Sequence, residues 1–376
     1  MPLRRLAAWY FCYFAFLGAF NTYFGLYLKG QGISAWDISI LLSLLPVMRT
    51  VAPYFWGWLA DRRSTQTGVV RMSALGCSIA FAAFLVVDDF PGLLLVTLVV
   101  AFFWSAALPL VESLTLAHLR HRTDRYGHVR LWGSIGFIVA VQGLGILLDF
   151  MPTTWLVGIY LALLCVTAVS ALSLQDAPSI ESRASVVVAE SPWGQPRMRA
   201  LLGACFMMSA AHAPLYVFYS IHLVDHGYST SAVGALWALG VMAEILVFIA
   251  MPRCMQAWSL TGILQTTFVL AVLRFLIIGW MADEVMAMIL AQMLHGATFG
   301  ACHGAVMAAL NRWFDAHHQG RAQALYSGIS FGGGGVLGGL VAGFMWDRWG
   351  AGWTYSFAAL AALLGLSIIR RGFGRD

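Results

Sequence analysis

Runs of about twenty apolar residues recur along this chain, each long enough to cross the hydrocarbon core of a bilayer as one helix. Twelve can be placed, near 7–28, 35–58, 71–87, 92–118, 127–148, 155–174, 198–223, 231–251, 259–281, 285–309, 322–346 and 351–369. Lipid offers no water to the backbone, so such runs must become helices that bond their own N–H and C=O groups. Composition agrees, since 60% of the 376 residues are hydrophobic and 10% are charged, against roughly 25% charged in a soluble domain. A fold in water could not cover its surface with so few polar groups. The expected class is therefore all-α membrane, with twelve transmembrane helices.

Orientation follows from Lys and Arg, which collect on cytoplasmic loops. With the N-terminus inside, seventeen fall on cytoplasmic segments: Arg4, Arg5, Arg62, Arg63, Arg71, Arg120, Arg122, Arg125, Arg183, Arg197, Arg199, Arg253, Arg312, Arg321, Arg370, Arg371 and Arg375. Only Lys29 and Arg348 fall outside. Both termini are expected to be cytoplasmic. The net charge of +5 thus belongs to helix ends, and no nucleic-acid partner is expected. The start of the chain mimics a signal peptide, but 7–28 is too long for a signal h-region and lacks a small-x-small cleavage site, so an uncleaved first span is expected. Cys12, Cys77, Cys165, Cys205, Cys254 and Cys302 all lie in or beside apolar runs, without metal-ligand spacing, and read as small hydrophobes.

The longest connection, 175–197, is rich in Ser, Pro and charge and reads as a flexible cytoplasmic linker. It separates a bundle of six helices, 1–174, from a second, 198–376. In the eleventh run, eight glycines lie between Gly328 and Gly343. No strand or Lys accompanies them, so a phosphate loop is not indicated. Close helix packing through Gly335, Gly339 and Gly343 is expected instead.

Charges inside spans are costly and usually face a wet cavity or a partner. Here they are Arg49, Glu112, Arg130, Glu244 and Arg274, joined by His212, His295 and His303. Counting about 1.5 Å per residue, Arg49, His212 and Glu244 lie near mid-depth. Glu112 and Arg130 flank one short cytoplasmic loop and can meet as an ion pair or close on a ligand. Arg274 and His295 flank an outer loop and can approach each other. Any one of these groups could instead lock two helices together, and His303, set among Gly and Ala, reads equally as a packing hydrogen-bond donor. Three Arg against two Glu suggest an anionic substrate or a rearrangement linked to protonation. Burial disfavours a bare carboxylate, so Glu244 is the first candidate for proton carrier. Among the aromatics, Trp132, Phe137 and Trp237 stand beside these charges as candidate lining. No nucleophile–base set or metal cluster stands out, so neither an enzyme nor a bound cofactor is expected, the proton alone serving as coupling ion.

The stretch Gly57–Arg63 (GWLADRR) resembles the signature loop of major facilitator transporters. That resemblance implies the two-bundle fold and gives Asp61 and Arg62 a gating role. A closer resemblance, to the 3-phenylpropionate permease group, is carried by Tyr126–Ser134 (YGHVRLWGS), Tyr228–Gly234 (YSTSAVG) with Glu244 following, and His295–Phe299 (HGATF) with Cys302 and His303. Arg49, His212, Glu244, Arg274 and His295 fall where that group has the same residue type. Glu112 and Arg130 are similar in spacing to the sugar-binding pair of the lactose permease, and Arg274 and His295 to its helix-nine Arg and helix-ten His. Glu244 falls on a sugar-contacting Asn. Thr298 stands where the permease has its proton-carrying Glu, Val241 where it has a second Glu, and Phe137 where an aromatic stacks on sugar. These departures argue against a lactose-type sugar and move any proton site elsewhere.

The resemblance implies a proton-coupled symporter in the bacterial inner (plasma) membrane, expected as a monomer, that imports a small aromatic carboxylate by alternating access. Arg49 and Arg130 would draw the carboxylate. Glu112, Phe137, His212 and Trp237 would complete the substrate site, while Glu244, Arg274 and His295 handle the proton. A nucleoside or sugar symporter, an efflux antiporter and a non-transporting sensor remain as alternatives. The charge asymmetry gives a direct test of orientation. In intact cells, a Cys placed at Lys29 should react with a membrane-impermeant maleimide and one at Arg253 should not; the reverse pattern would invert the topology.

Overall fold

The computed structural model describes residues 2–119, 122, 125–177, 194–314 and 316–373, without the side chains of 316 and 317. Arg120, Arg183 and Arg375 of the cytoplasmic set lie outside the described residues, as does most of the expected linker. The elements are α1 (Pro2–Gly30), α2 (Ala35–Arg63), α3 (Gln66–Ala82), α4 (Phe90–Leu119), α5 (Tyr126–Leu148), α6 (Leu156–Leu172), α7 (Pro196–Asp225), α8 (Thr230–Ala257), α9 (Leu260–Trp280), α10 (Val285–His295), α11 (Cys302–Trp313), α12 (Ala316–Tyr326) and α13 (Gly335–Gly372). A π-helical turn, Gly296–Ala301, joins α10 to α11, and a second, Ser327–Gly334, joins α12 to α13. The sequence pattern shows neither turn, because one extra residue per turn leaves the apolar run unbroken.

Eleven segments among the described residues are long and apolar enough to cross a membrane. The last, His318–Gly372, has 55 residues. At about 1.5 Å per residue it is more than twice as long as a bilayer core is thick. It holds both of the last two apolar runs, and the break falls at Gly350, with φ 77° and ψ −174°. That conformation is open to glycine and strained for any residue with a Cβ. Side chains such as Val86, Phe150, Tyr54 and Leu246 stand largely exposed, as lipid-facing residues do.

The chain divides into two compact units, one of 1–33, 44–185 and 229–234, the other of 34–43, 186–228 and 235–376. Two short pieces depart from the boundaries expected from the linker, for a local reason. In the second unit, Asp347 accepts from the backbone N–H of Ala35 at 3.2 Å and of Trp36 at 2.9 Å, capping the start of α2. In the first unit, Asp149 accepts from the Thr230 hydroxyl at 2.6 Å and the Ser231 N–H at 3.1 Å, capping α8. In the second unit the glycines of the eleventh run serve two faces. Gly334 and Gly338 lie against the backbone of Phe206 and Ala210, and Gly339 and Gly343 against the hydroxyls of Ser43 and Ser39. Gly335, expected in the packing stripe, meets nothing.

The arginine-bearing end of the first unit is pinned where α6 finishes. Arg71 donates to Leu174 O at 2.6 Å, and the His118 ring bonds Gln175 O at 2.8 Å. Asp176 accepts from the Thr67 N–H at 2.9 Å, the Thr67 hydroxyl at 2.9 Å and the Thr65 hydroxyl at 2.8 Å, while Thr65 caps α3 through Gly68 N–H. Partial burial acts to raise this carboxyl, but those hydrogen bonds outweigh it and hold Asp176 below the usual carboxylate range. Its contribution is therefore complete above that range and disappears as pH falls through the lowered value. Asp176→Asn should cost about 1 kcal/mol at neutral pH through the weakened hydrogen bonds and flatten the acid limb of thermal stability; an acid limb identical to that of the parent protein would show that this carboxylate stabilises nothing.

Candidate functional site

The charges read from the sequence form two clusters, one in each unit. In the first unit, Arg130 is the fifth residue of α5 and Glu112 lies in the last third of α4. The Arg130 Nε stands 3.6 Å from Glu112 Oε1, with the two side chains 30% and 37% exposed, respectively. They are paired but open. The Tyr126 hydroxyl lies within electrostatic reach of both. Beneath the guanidinium lie two rings of α1, Phe14 at 4.0 Å and Tyr10 at 5.5 Å from its carbon. Such stacking favours Arg over Lys, because a planar cation can lie flat on a ring while its edge stays free for a carboxylate. The Tyr10 hydroxyl is tied to Thr115 at 3.2 Å.

Gly133 makes this stack possible. A Cβ there would sit 2.7 Å from the Phe14 ring and 2.9 Å from Arg130 Nη1. The YGHVRLWGS stretch thus supplies three parts of one site: Tyr126, Arg130 and the space at Gly133. Next to Phe14 on α1, Tyr13 stacks on Trp104 at 4.1 Å and on Trp9 at 4.8 Å. Tyr13 also lies within the electrostatic reach of Arg49, Glu112 and Arg130. Arg49 itself is exposed and makes no ion pair among the described residues. Phe137 packs on Gly18 of α1, and Trp132 is 48% exposed.

In the second unit the cluster is buried. Arg274 of α9 has no exposed surface. Its Nε donates to Ala291 O at 2.8 Å, and its Nη1 lies 3.3 Å from His212 Nε2 and 3.2 Å from Thr298 Oγ1. Its Nη2 finds no partner among the described residues. His212 Nδ1 is 2.9 Å from Met208 O. A carbonyl only accepts, so the proton is on Nδ1 and Nε2 offers its lone pair to the guanidinium. His295, ending α10, places Nε2 2.7 Å from Glu244 Oε1 of α8, with the side chains 5% and 18% exposed. His295 Nδ1 is buried without a partner among the described residues. A ring nitrogen and a carboxylate oxygen do not share a 2.7 Å contact without a hydrogen between them, so a proton lies between Nε2 and the Glu244 carboxyl.

Several expectations change in detail. Arg274 and His295 do approach within electrostatic reach, but without a hydrogen bond between them: His295 bonds Glu244, and Arg274 turns to His212 and Thr298. Thr298, a departure from the lactose permease pattern, is a ligand of the guanidinium. Trp237 is buried, donating to Ser220 Oγ at 3.0 Å and stacking on Tyr216 at 6.2 Å, so it fastens α8 to α7. Asp61 is exposed and has no ion pair among the described residues, while Arg62 lies over Trp58 at 5.4 Å. Tyr10 and Phe14 carry no mark in the sequence that sets them apart as site residues, and Tyr126 and Thr298 stand in recognisable stretches without a role assigned to them. The i, i+4 spacing of Tyr10 and Phe14 carried a signal, but an aromatic stripe on an apolar helix reads first as packing.

Residues 3–357 match the MFS_1 like family. The chain belongs to that family. It is a membrane transporter of the major facilitator type, with a small-molecule substrate. It is 30% identical to the probable 3-phenylpropionic acid transporter of Escherichia coli (strain K12), over 96% of each chain. It is 24% identical to the maltose permease of Geobacillus stearothermophilus, over 96% of this chain and 92% of that one. Its fold matches the crystal structure of the nucleoside transporter NupG with a TM-score of 0.87, at 18% identity and over 100% of both chains.

The Arg274 environment gives a measurable consequence. Thr298→Val keeps the shape but removes one of the guanidinium's two side-chain partners, at a cost of about 1–3 kcal/mol for a buried unmet donor. The melting temperature of the purified protein should drop accordingly; an unchanged value would show that the hydroxyl does not hold Arg274.

Proposed function

We propose that this family member is a proton-coupled symporter of the bacterial inner membrane that imports a small aromatic carboxylate, 3-phenylpropionate or a close analogue. In this reading twelve spans form two six-helix bundles with both termini in the cytoplasm, and transport proceeds by alternating access. The observation that carries it is the Arg130 site. A half-exposed guanidinium lies on the Phe14 ring with its counter-ion Glu112 at 3.6 Å. That spacing is too long for a strong hydrogen bond, so an incoming carboxylate can take the fork while its ring meets neighbouring aromatics. Arg49, exposed and unpaired among the described residues, adds a second positive charge for an anion. The name of the E. coli relative supports the same substrate class.

The proton is assigned to the second cluster. Glu244 and His295 share a 2.7 Å contact that can hold one proton or two, and Arg274 stands within electrostatic reach as a fixed positive charge. His212 orients Arg274. Asp61 and Arg62 are assigned to the gate on the strength of the GWLADRR stretch. A nucleoside or sugar symporter is the second reading, favoured by the partly exposed Glu112 side chain, whose carboxylate would accept from hydroxyl groups.

Counterflow in proteoliposomes with labelled 3-phenylpropionate, uridine and a galactoside separates these readings. The proposal expects exchange of the first alone, and exchange of uridine or the galactoside alone would replace it. Arg130→Lys should weaken 3-phenylpropionate binding at least tenfold through loss of the bidentate fork, whereas wild-type affinity would make Arg130 structural. Glu244→Gln should retain exchange yet fail to accumulate solute against a gradient; accumulation at the wild-type level would remove Glu244 as proton carrier.

A further inference from the structure

The π turn Gly296–Ala301 decides which residues share a face with His295. In a regular helix His303, eight residues on, would be rotated by roughly 80° from His295. A π turn inserts one residue without advancing the helix, so the effective separation is about seven residues, roughly two turns. His303 therefore falls nearly in line with His295, about 10 Å further along the axis.

Glu244 sits between them. A Cβ on Gly300, five residues after His295 and three before His303, would lie 3.6 Å from Glu244 Cα. Gly296 faces the backbone of Ala243, and Gly304 faces Met251. The glycine-lined side of this segment thus lies along α8, with an imidazole before and after the carboxylate. His295 holds it at 2.7 Å. His303 and Glu244 interact electrostatically. His303 Nδ1 is 3.0 Å from the Tyr326 hydroxyl, at the end of α12, and Nε2 has no hydrogen bond among the described residues. Tyr326 is 7% exposed and can act as donor or acceptor. It can therefore remain bonded to His303 whether the ring is neutral or protonated. His303 also lies towards the end of the segment that carries Arg312.

Resting on the transport reading above, we propose that His303 is the second proton station of Glu244. The O–H bond of the Glu244 carboxyl breaks and an N–H bond forms at His303 Nε2, leaving a carboxylate and an imidazolium. The carboxylate turns back to His295 Nε2–H and the field of Arg274. The Tyr326 oxygen accepts from the imidazolium Nδ1–H until the Nε2 proton passes to water at the arginine-bearing end. The titratable and charged groups around the pair are His295 and Arg274 beside Glu244, and Tyr326 beside His303, with Cys302 and Cys205 facing Tyr326. Two imidazoles flanking one carboxyl give the proton a direction along the helix, which a Glu–His pair alone does not.

The test is an infrared pH titration of the full-length protein in nanodiscs, with the Glu244 carboxyl band assigned by its loss in Glu244→Gln. In His303→Gln the midpoint of that band should move by at least about one pH unit, as expected for two coupled sites. Tyr326→Phe should move it in the same direction by less. Wild-type midpoints in both variants would overturn the proposal. In proteoliposomes with labelled 3-phenylpropionate, His303→Gln should keep exchange but lose at least ~10-fold in accumulation driven by a pH gradient. Wild-type accumulation would also overturn it. A wild-type protein that takes up no 3-phenylpropionate would instead refute the substrate assignment, and the titration would still decide the role of His303.

Discussion

Lipid withdraws water as a hydrogen-bond partner, and that constraint governs this molecule at every level. It requires helices of the backbone. It sends hydroxyls back onto the preceding turn, as Thr115 bonds Val111 O at 2.6 Å and Ser78 bonds Ala74 O at 3.0 Å. It also prevents ionised groups from being scattered. Arg274 shows the demand most fully. The guanidinium has no exposed surface, and it is held by a carbonyl, an imidazole and a hydroxyl drawn from three segments. Each of those partners has to be where it is for the cation to stay buried.

The two clusters solve the same problem in different ways. The Glu112–Arg130 pair is loose, half-exposed and floored by aromatic rings, a geometry that leaves bonding capacity for a guest. The Glu244–His295–Arg274–His212 set is tight and nearly dry, a geometry suited to holding a proton. In the proposed function, binding and coupling rest on separate side chains, so the solute could change without disturbing the buried set. That separation is consistent with a family whose members carry names as different as phenylpropionic acid transporter and maltose permease.

Much of this was legible in the sequence because membrane helices leave strong signals. The apolar runs, the placement of Lys and Arg and the rarity of charges inside spans come from large transfer energies, and they single out the residues that form both clusters. The pairing of those residues was harder to read. Proximity along the chain pointed Arg274 towards His295, but tertiary packing gave His295 to Glu244. The π turns were invisible because an inserted residue in an apolar run changes no pattern, though it changes which histidines line up. Tyr10 and Phe14 were missed because aromatics are common on a membrane helix, and only the position of Arg130 above them distinguishes a binding floor from packing. The break at Gly350 was legible as the gap between two runs, and its positive φ explains why a glycine stands there.

In the proposed function a buried carboxyl–imidazole set couples proton movement to solute entry. The direct measurement is the external pH of weakly buffered, de-energised proteoliposomes when 3-phenylpropionate is added. The account predicts alkalinisation of the medium that follows solute entry in time and extent. Solute entry with no change in external pH would contradict it.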